Sequence, residues 1–449
     1  MTKSFFKIYA PYLNKILTLS YPIVIGQLGI VLMGVADVVM IGRLDSTNLA
    51  AAGVANSIYF LITILGIGTL TAISPLVAKA KGETHYEVCG ILFRKGLLAA
   101  VYLSVFICVV VFFLSDNFES FGQNQEVTSL AKTFLNILNL STLPLLLFFA
   151  AKQFSDGLSY TTPSAVISMA ALLLNIFLNW LLIYGNWGMP RLGLAGAGYA
   201  TLIARIAMAI AMIAYVYYRK QYKDFLKGKA KHAGKYLLDI FRVGLPSGFQ
   251  YFFEIGAFSS AAIIIGWIGK NALAAHHIAI SLASVTYMVA TGISAAGSIA
   301  VGDALGRKNR HDIIHSGKAA LFIGTLFMAG TALVFVSFNH MIVGLYIDDA
   351  LVAAITSNLI YIAAMFQLSD GIQCVGLGIL RGMADTKIPT LVTIVAYWVI
   401  GIPLGYYLAF SAGLGTYGIW YGLSAGLAFS ATMLTIRFLK ESKTLEIGS

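Results

Sequence analysis

Residues 388–436 read IPTLVTIVAYWVIGIPLGYYLAFSAGLGTYGIWYGLSAGLAFSATMLTI, 49 residues without a charged side chain. A bilayer core takes about 20 apolar residues per helix, so this stretch is long enough for two spans joined near residues 411–415. Working back along the chain, apolar runs occupy residues 350–380 around Asp370, 319–347, 271–302 and 243–269 around Glu254. The first half adds 16–36, 46–78, 96–115, 133–151, 157–190 and 192–218, the last interrupted by Arg205. The count is twelve. The whole chain agrees: of 449 residues, 59% are hydrophobic and 11% charged, whereas soluble domains carry charge at about 25% of positions. The expected fold is an all-α integral membrane protein.

Lys3, Lys7 and Lys15 precede an apolar run too long for a secretory h-region and without a small-residue cleavage site, so the first span is expected to remain as a helix. Cys89, Cys108 and Cys374 have neither paired nor metal-ligand spacing and read as free thiols in apolar helices. The net charge of +11 does not indicate nucleic acid, because the cations are confined to particular loops. With the N-terminus placed inside, 25 Lys and Arg fall in inner segments, against Arg43, Arg191 and Lys270 in outer loops. Cytoplasmic segments are the ones that collect cations, so both termini are expected inside.

The basic loop between Arg219 and Arg242 divides two halves that resemble each other. Leu49-Ala-Ala-Ala-Gly-Val-Ala-Asn-Ser57 aligns with Leu273-Ala-Ala-His-His-Ile-Ala-Ile-Ser281, and Pro22 falls on Pro246, both at an offset of 224. Gly66-Ile67 aligns with Gly292-Ile293 and Pro163 with Pro389, both at 226. The expected organisation is an N-terminal six-helix lobe (1–218), a cytoplasmic basic linker (219–241) and a C-terminal six-helix lobe (242–449). Six spans per half is an even number, so both halves enter from the same side, as in the parallel repeats of secondary transporters.

Glu254 and Asp370 sit within these spans, and Asp37 directly follows the first. A carboxylate in hydrocarbon costs a few kcal/mol on insertion scales, of the order of 3, and such groups mark ion, proton or substrate sites. Neutral, hydrogen-bonded carboxyls joining helices are the plainer reading. The chain has no Gly-x-x-x-x-Gly-Lys-Ser/Thr phosphate loop, so an ion gradient is the expected energy source. Asn175 and Asn179 share one helix face and suit interhelical hydrogen bonding as well as ion ligation. His276 and His277 suit either packing or a role in coupling or substrate contact. Asp116, Glu119, Asp348 and Asp349 read as solvated outer-loop acids with no basic residue nearby.

Gly34-Val-Ala-Asp-Val-Val-Met-Ile-Gly42, Ser74-Pro-Leu-Val-Ala-Lys-Ala-Lys-Gly82, Val301-Gly-Asp-Ala-Leu-Gly-Arg307 and Gly382-Met-Ala-Asp-Thr-Lys-Ile-Pro389, in that order on twelve spans, resemble the multidrug and toxic compound extrusion (MATE) family. The similarity runs through essentially the whole chain, and Glu254 with Asp370 resembles its NorM-like branch. The resemblance implies two lobes around a central cleft and efflux of cationic lipophilic drugs or dyes in exchange for Na⁺ or H⁺. It implies a monomer in the bacterial inner membrane, surrounded by lipid, with no cofactor and no metal beyond the transported cation. Glu254, Asp370 and Asp37 are then the cation-coupling residues, and Asn175, Asn179 and Thr201 a polar site beside Asp37. Phe366 departs from members that carry a Tyr there, so a cation contact from that hydroxyl is absent. One rival is a lipid-linked oligosaccharide flippase of the same superfamily. Its pyrophosphate substrates call for a cationic cavity, against the acidic intramembrane residues here. A membrane-embedded enzyme is the other, resting on the adjacent histidines alone.

Overall fold

The computed structural model describes residues 2–118, 124–227 and 233–444. Among these residues the structure is helical, with no strands. Twelve helices are long and apolar enough to cross a membrane: α1 (Ile8–Ile41), α2 (Ser46–Gly82), α3 (Tyr86–Asp116), α4 (Gln125–Gly157), α5 (Thr162–Tyr184), α6 (Leu194–Tyr218), α7 (Gly234–Ile268), α8 (Lys270–Gly306), α9 (Arg310–Ser337), α10 (Ala350–Gly382), α11 (Lys387–Ser411) and α12 (Gly415–Thr444). The uncharged stretch 388–436 indeed supplies two of them, broken at residues 412–414.

Local chemistry explains where the helices begin. Asp45 caps α2 by accepting from the Asn48 backbone N–H at 2.7 Å, and hydrogen bonds from Asn48 hold its carboxyl below the usual carboxylate range. Asn309 caps α9 through the Asp312 N–H at 3.1 Å. Asp349 caps α10, accepting from Leu351 and Val352 N–H at 2.9 and 3.0 Å. Each side chain satisfies donors that have no partner within their own helix. Pro163 stands in the first turn of α5, where its missing N–H costs nothing.

The chain divides into two compact units, one of residues 22–248 and one of residues 1–21 with 249–449. Each has an apolar core of its own, the first built around Phe93, Phe134, Phe148 and Phe154, the second around Phe366, Tyr397 and Trp420. The internal repeat is visible as matching turns. Tyr160 N–H bonds back to Ser155 C=O at 3.0 Å, and Asp385 N–H to Leu380 C=O at 3.0 Å. Ser159 and Ala384 in these turns both take positive φ, 70° and 61°. The α2–α3 turn has Thr84 at φ 59°, and the α8–α9 turn Lys308 at φ 53°. A Cβ on Gly157 would lie 2.6 Å from Ser74 O and one on Gly382 2.6 Å from Ser298 O. Each half therefore lets a backbone approach at the same place, with glycine as the means.

Several sequence expectations need correction. Inside the linker, residues 220–226 form short helical turns and Tyr222 is fully buried, its hydroxyl 2.7 Å from Ser155 Oγ. Residues 234–241, assigned to the linker, already belong to α7. Lys152 and Arg381, counted with the loop cations, are buried. Asp116 does have a basic neighbour, with Lys132 Nζ 3.2 Å from its Oδ1, and Asp349 is a helix cap. Glu119 lies outside the described residues.

Candidate functional site

In the second unit the polar residues of four helices converge on Glu254. One turn earlier on α7, Gln250 donates from Nε2 to Glu254 Oε2 at 2.8 Å. From α8, Tyr287 donates its hydroxyl to Glu254 Oε1 at 3.3 Å, and from α11 Tyr397 reaches the same oxygen at 3.5 Å. Gln373 of α10 stands behind Tyr397, its Nε2 3.2 Å from the phenolic oxygen. Glu254 and Asp370 are each 4% exposed and lie within Coulombic reach of each other. Among the described residues no hydrogen bond reaches Asp370, and its charged neighbour is Glu254. Asp370, Gln373, Cys374 and Arg381 recur at 3, 4 and 11 residues from the acid, a spacing that puts them on one stripe of α10.

Close helix packing fixes this stripe. Ser294 of α8 donates to Cys374 C=O at 2.6 Å, and a Cβ on Gly378 would lie 2.2 Å from Ser294 Oγ. Tyr397 lies in the π-helical part of α11, residues 395–401. Such wider turns shift side-chain register and recur at functional sites. On its indole side Trp398 donates to Phe253 C=O at 3.0 Å, tying α11 to α7.

The first unit holds the other acid. Asp37 is 6% exposed; Asn179 Nδ2 donates to its Oδ1 at 2.6 Å and Thr201 Oγ1 to its Oδ2 at 2.7 Å. Asn175 completes the ring, donating to Thr201 Oγ1 at 3.2 Å and accepting from Asn179 at 3.1 Å. All four residues expected beside one another from sequence are together. Arg205 turns inward, bonding Tyr59 Oη at 2.9 Å and Ser141 Oγ at 2.6 Å. No ion pair joins Asp37 to Arg43 among the described residues.

His276 is buried and accepts the Trp420 indole N–H on Nδ1 at 3.2 Å, while its neighbour His277 is exposed. Phe366 packs edge-on against Phe258 and near Trp420. Sequence reading missed Gln250, Tyr287, Gln373, Tyr397 and Arg381. Helical spacing from the acids points to Gln250, Gln373 and Arg381. No such signal picks Tyr287 and Tyr397 from 23 tyrosines.

The family model described as MatE matches this chain twice, over residues 22–181 and 246–407. Those two matches begin at Pro22 and Pro246, the prolines that mark the internal repeat. The chain belongs to the MatE family. It is a multi-pass membrane transporter rather than an enzyme, as the members of that family are. Among its MatE relatives, the "Probable multidrug resistance protein NorM" of Pseudomonas putida is 35% identical over 440 residues, covering 96% of this chain and 95% of its own. The protein of the same name from Mesorhizobium japonicum is 34% identical over 436 residues, covering 95% of this chain and 93% of its own. Among solved folds, the crystal structure of the eukaryotic MATE transporter AtDTX14 superposes with a TM-score of 0.88 at 19% identity, over 97% of this chain and 98% of that one.

Proposed function

We propose that this chain is a NorM-like multidrug exporter of the bacterial inner membrane, passing lipophilic cations outward in exchange for Na⁺ or H⁺. The observation that carries the reading is the pair of buried acids on α7 and α10, Glu254 and Asp370. Two like charges in one poorly solvated cluster oppose joint ionisation. A proton, a metal cation or an organic cation relieves that opposition, and each can replace another. Exchange follows, because a ligand moves a conformational equilibrium only by its different affinity for the two states. An incoming Na⁺ or H⁺ that takes the acids weakens the hold on a cationic drug by the same factor that the drug weakens the ion.

The relatives named for multidrug resistance support drugs as the cargo. Asp37, with Asn175, Asn179 and Thr201, is a second ionisable site in the other unit, available to the same cations. Both termini face the cytoplasm in this reading, and the working unit is the monomer.

The test is ethidium efflux from proteoliposomes under an imposed Na⁺ gradient and, separately, a pH gradient. Acceleration by one gradient identifies the coupling ion. Glu254→Gln and Asp370→Asn are each expected to abolish gradient-driven efflux while inserting at wild-type levels. Wild-type efflux from either variant overturns the site assignment. No dye movement by the wild-type protein under either gradient overturns drug–ion antiport and brings forward the flippase reading.

A further inference from the structure

Arg381 is a full positive charge that the transport reading does not use. It is 5% exposed, near the end of α10, and its Nη2 donates to Gln250 Oε1 at 3.3 Å. Its guanidinium carbon also stands 5.5 Å from the ring centroid of Tyr251, a distance at which an aromatic face attracts a cation. Gln250 uses its two ends in opposite senses. The carbonyl oxygen accepts from Arg381, and the amide nitrogen donates to Glu254 at 2.8 Å. A side-chain amide held this way has one orientation, and it passes the polarity of the guanidinium on to the carboxylate. Glu254 also lies within direct Coulombic reach of Arg381. Asp370 has none of this support: its charged neighbour among the described residues is Glu254.

The two acids therefore differ. One sits in a relay that ends on a fixed cation, with hydrogen bonds from Gln250, Tyr287 and Tyr397. The other faces that anion without compensation. Resting on the antiport reading above, we propose that Arg381 is a positioning residue that acts as the fixed counter-cation of Glu254 through Gln250, leaving Asp370 as the group that the mobile cation neutralises. Two carboxylates and one guanidinium carry a net charge of −1, so one monovalent cation fills the site in each cycle.

The experiment measures how dye efflux from proteoliposomes depends on the driving cation, for the wild type, Arg381→Gln and Arg381→Lys. The wild type sets the reference half-activation and Hill coefficient. Arg381→Gln removes the fixed charge, so half-activation shifts to about ten-fold lower cation concentration and the Hill coefficient rises above the wild-type value. Arg381→Lys keeps the charge and returns half-activation to within about two-fold of wild type. The KM for ethidium, measured at saturating driving cation, is read alongside. If Arg381 served packing alone, maximal rate and yield would fall while half-activation and Hill coefficient stayed put, and that result overturns the proposal. Should Arg381→Gln not yield folded transporter, Gln250→Leu breaks the relay and is expected to shift half-activation in the same direction. An unchanged value there overturns the relay. A wild-type protein indifferent to every cation gradient sinks the antiport reading itself, an outcome distinct from an Arg381→Gln that behaves as wild type.

Discussion

Lys152 and Asp156 show what a charge costs when it is folded into this protein. They sit one turn apart on α4, 2.6 Å between Nζ and Oδ2, with side chains 3% and 2% exposed. Ser164 of α5 gives Asp156 Oδ1 a further hydrogen bond at 3.1 Å. Removing one partner of such a pair leaves the other charge buried alone, a loss of about 3–5 kcal/mol, whereas replacing both by apolar groups of similar size is often neutral. Lys152→Met and Asp156→Leu are each expected to lower the thermal unfolding temperature in detergent sharply, and the double variant to recover most of the loss. A double variant no better than the worse single one would show that the two charges are not coupled. These residues also mark a limit of sequence reading. A lysine close to the end of an apolar run looks the same whether it reaches the interface or folds back onto an acid four residues away. Arg381 escaped notice for the same reason. Asp37 stood out as an acid beside a long apolar run, but its grouping with Asn175, Asn179 and Thr201 was implied by the family resemblance, since spacing along the chain links only the two asparagines.

At the scale of the element, the sequence carried its information in small residues. Gly157 and Gly382 end α4 and α10 at equivalent points of the repeat, and each admits the backbone of a neighbouring helix. The Cβ of an alanine at Gly382 would stand 2.6 Å from Ser298 O and 3.0 Å from Val301 Cβ; at Gly157 it would stand 2.6 Å from Ser74 O and 2.8 Å from Val77 Cβ. Overpacking of this kind costs typically about 1–3 kcal/mol, so Gly157→Ala and Gly382→Ala are each expected to destabilise by about that much. Gly330, within α9, has nothing within 4 Å of a built Cβ. There alanine relieves only the entropic handicap of glycine, and Gly330→Ala is expected to be neutral or stabilising by up to about 1 kcal/mol. Equal losses at all three glycines would remove the close-approach explanation. Not every element was open to such reading. The π-helical turn that carries Tyr397 shifts the register of α11 away from the 3.6-residue repeat, and no residue pattern in 395–401 announces it.

Across the whole molecule, twelve spans and two similar halves were readable because lipid imposes a simple rule: every backbone polar group must be satisfied within the helix, over about 20 apolar residues. Side is a subtler property, since it depends on how cations distribute among short loops. The structure removes Lys152 and Arg381 from the inner count, because they are buried, and adds Lys132 to the opposite end of the helices beside Asp116. The excess remains large and of the same sign, so the charge rule still predicts both termini on the cytoplasmic side. Cysteine labelling checks this directly. Cys89 and Cys374 are buried and Cys108 half-buried, which keeps the native background low. His85 in the α2–α3 turn and Met189 between α5 and α6 are both exposed, and an odd number of spans separates them. A membrane-impermeant maleimide applied to intact cells is expected to label Met189→Cys, and to reach His85→Cys only after the membrane is opened. The reverse pattern would turn the molecule over. It would then place the basic loop outside, against the charge rule, and reverse the direction in which a cation gradient drives the cargo. Labelling of both sites in intact cells would break the span count between them, which requires three crossings from α3 through α5.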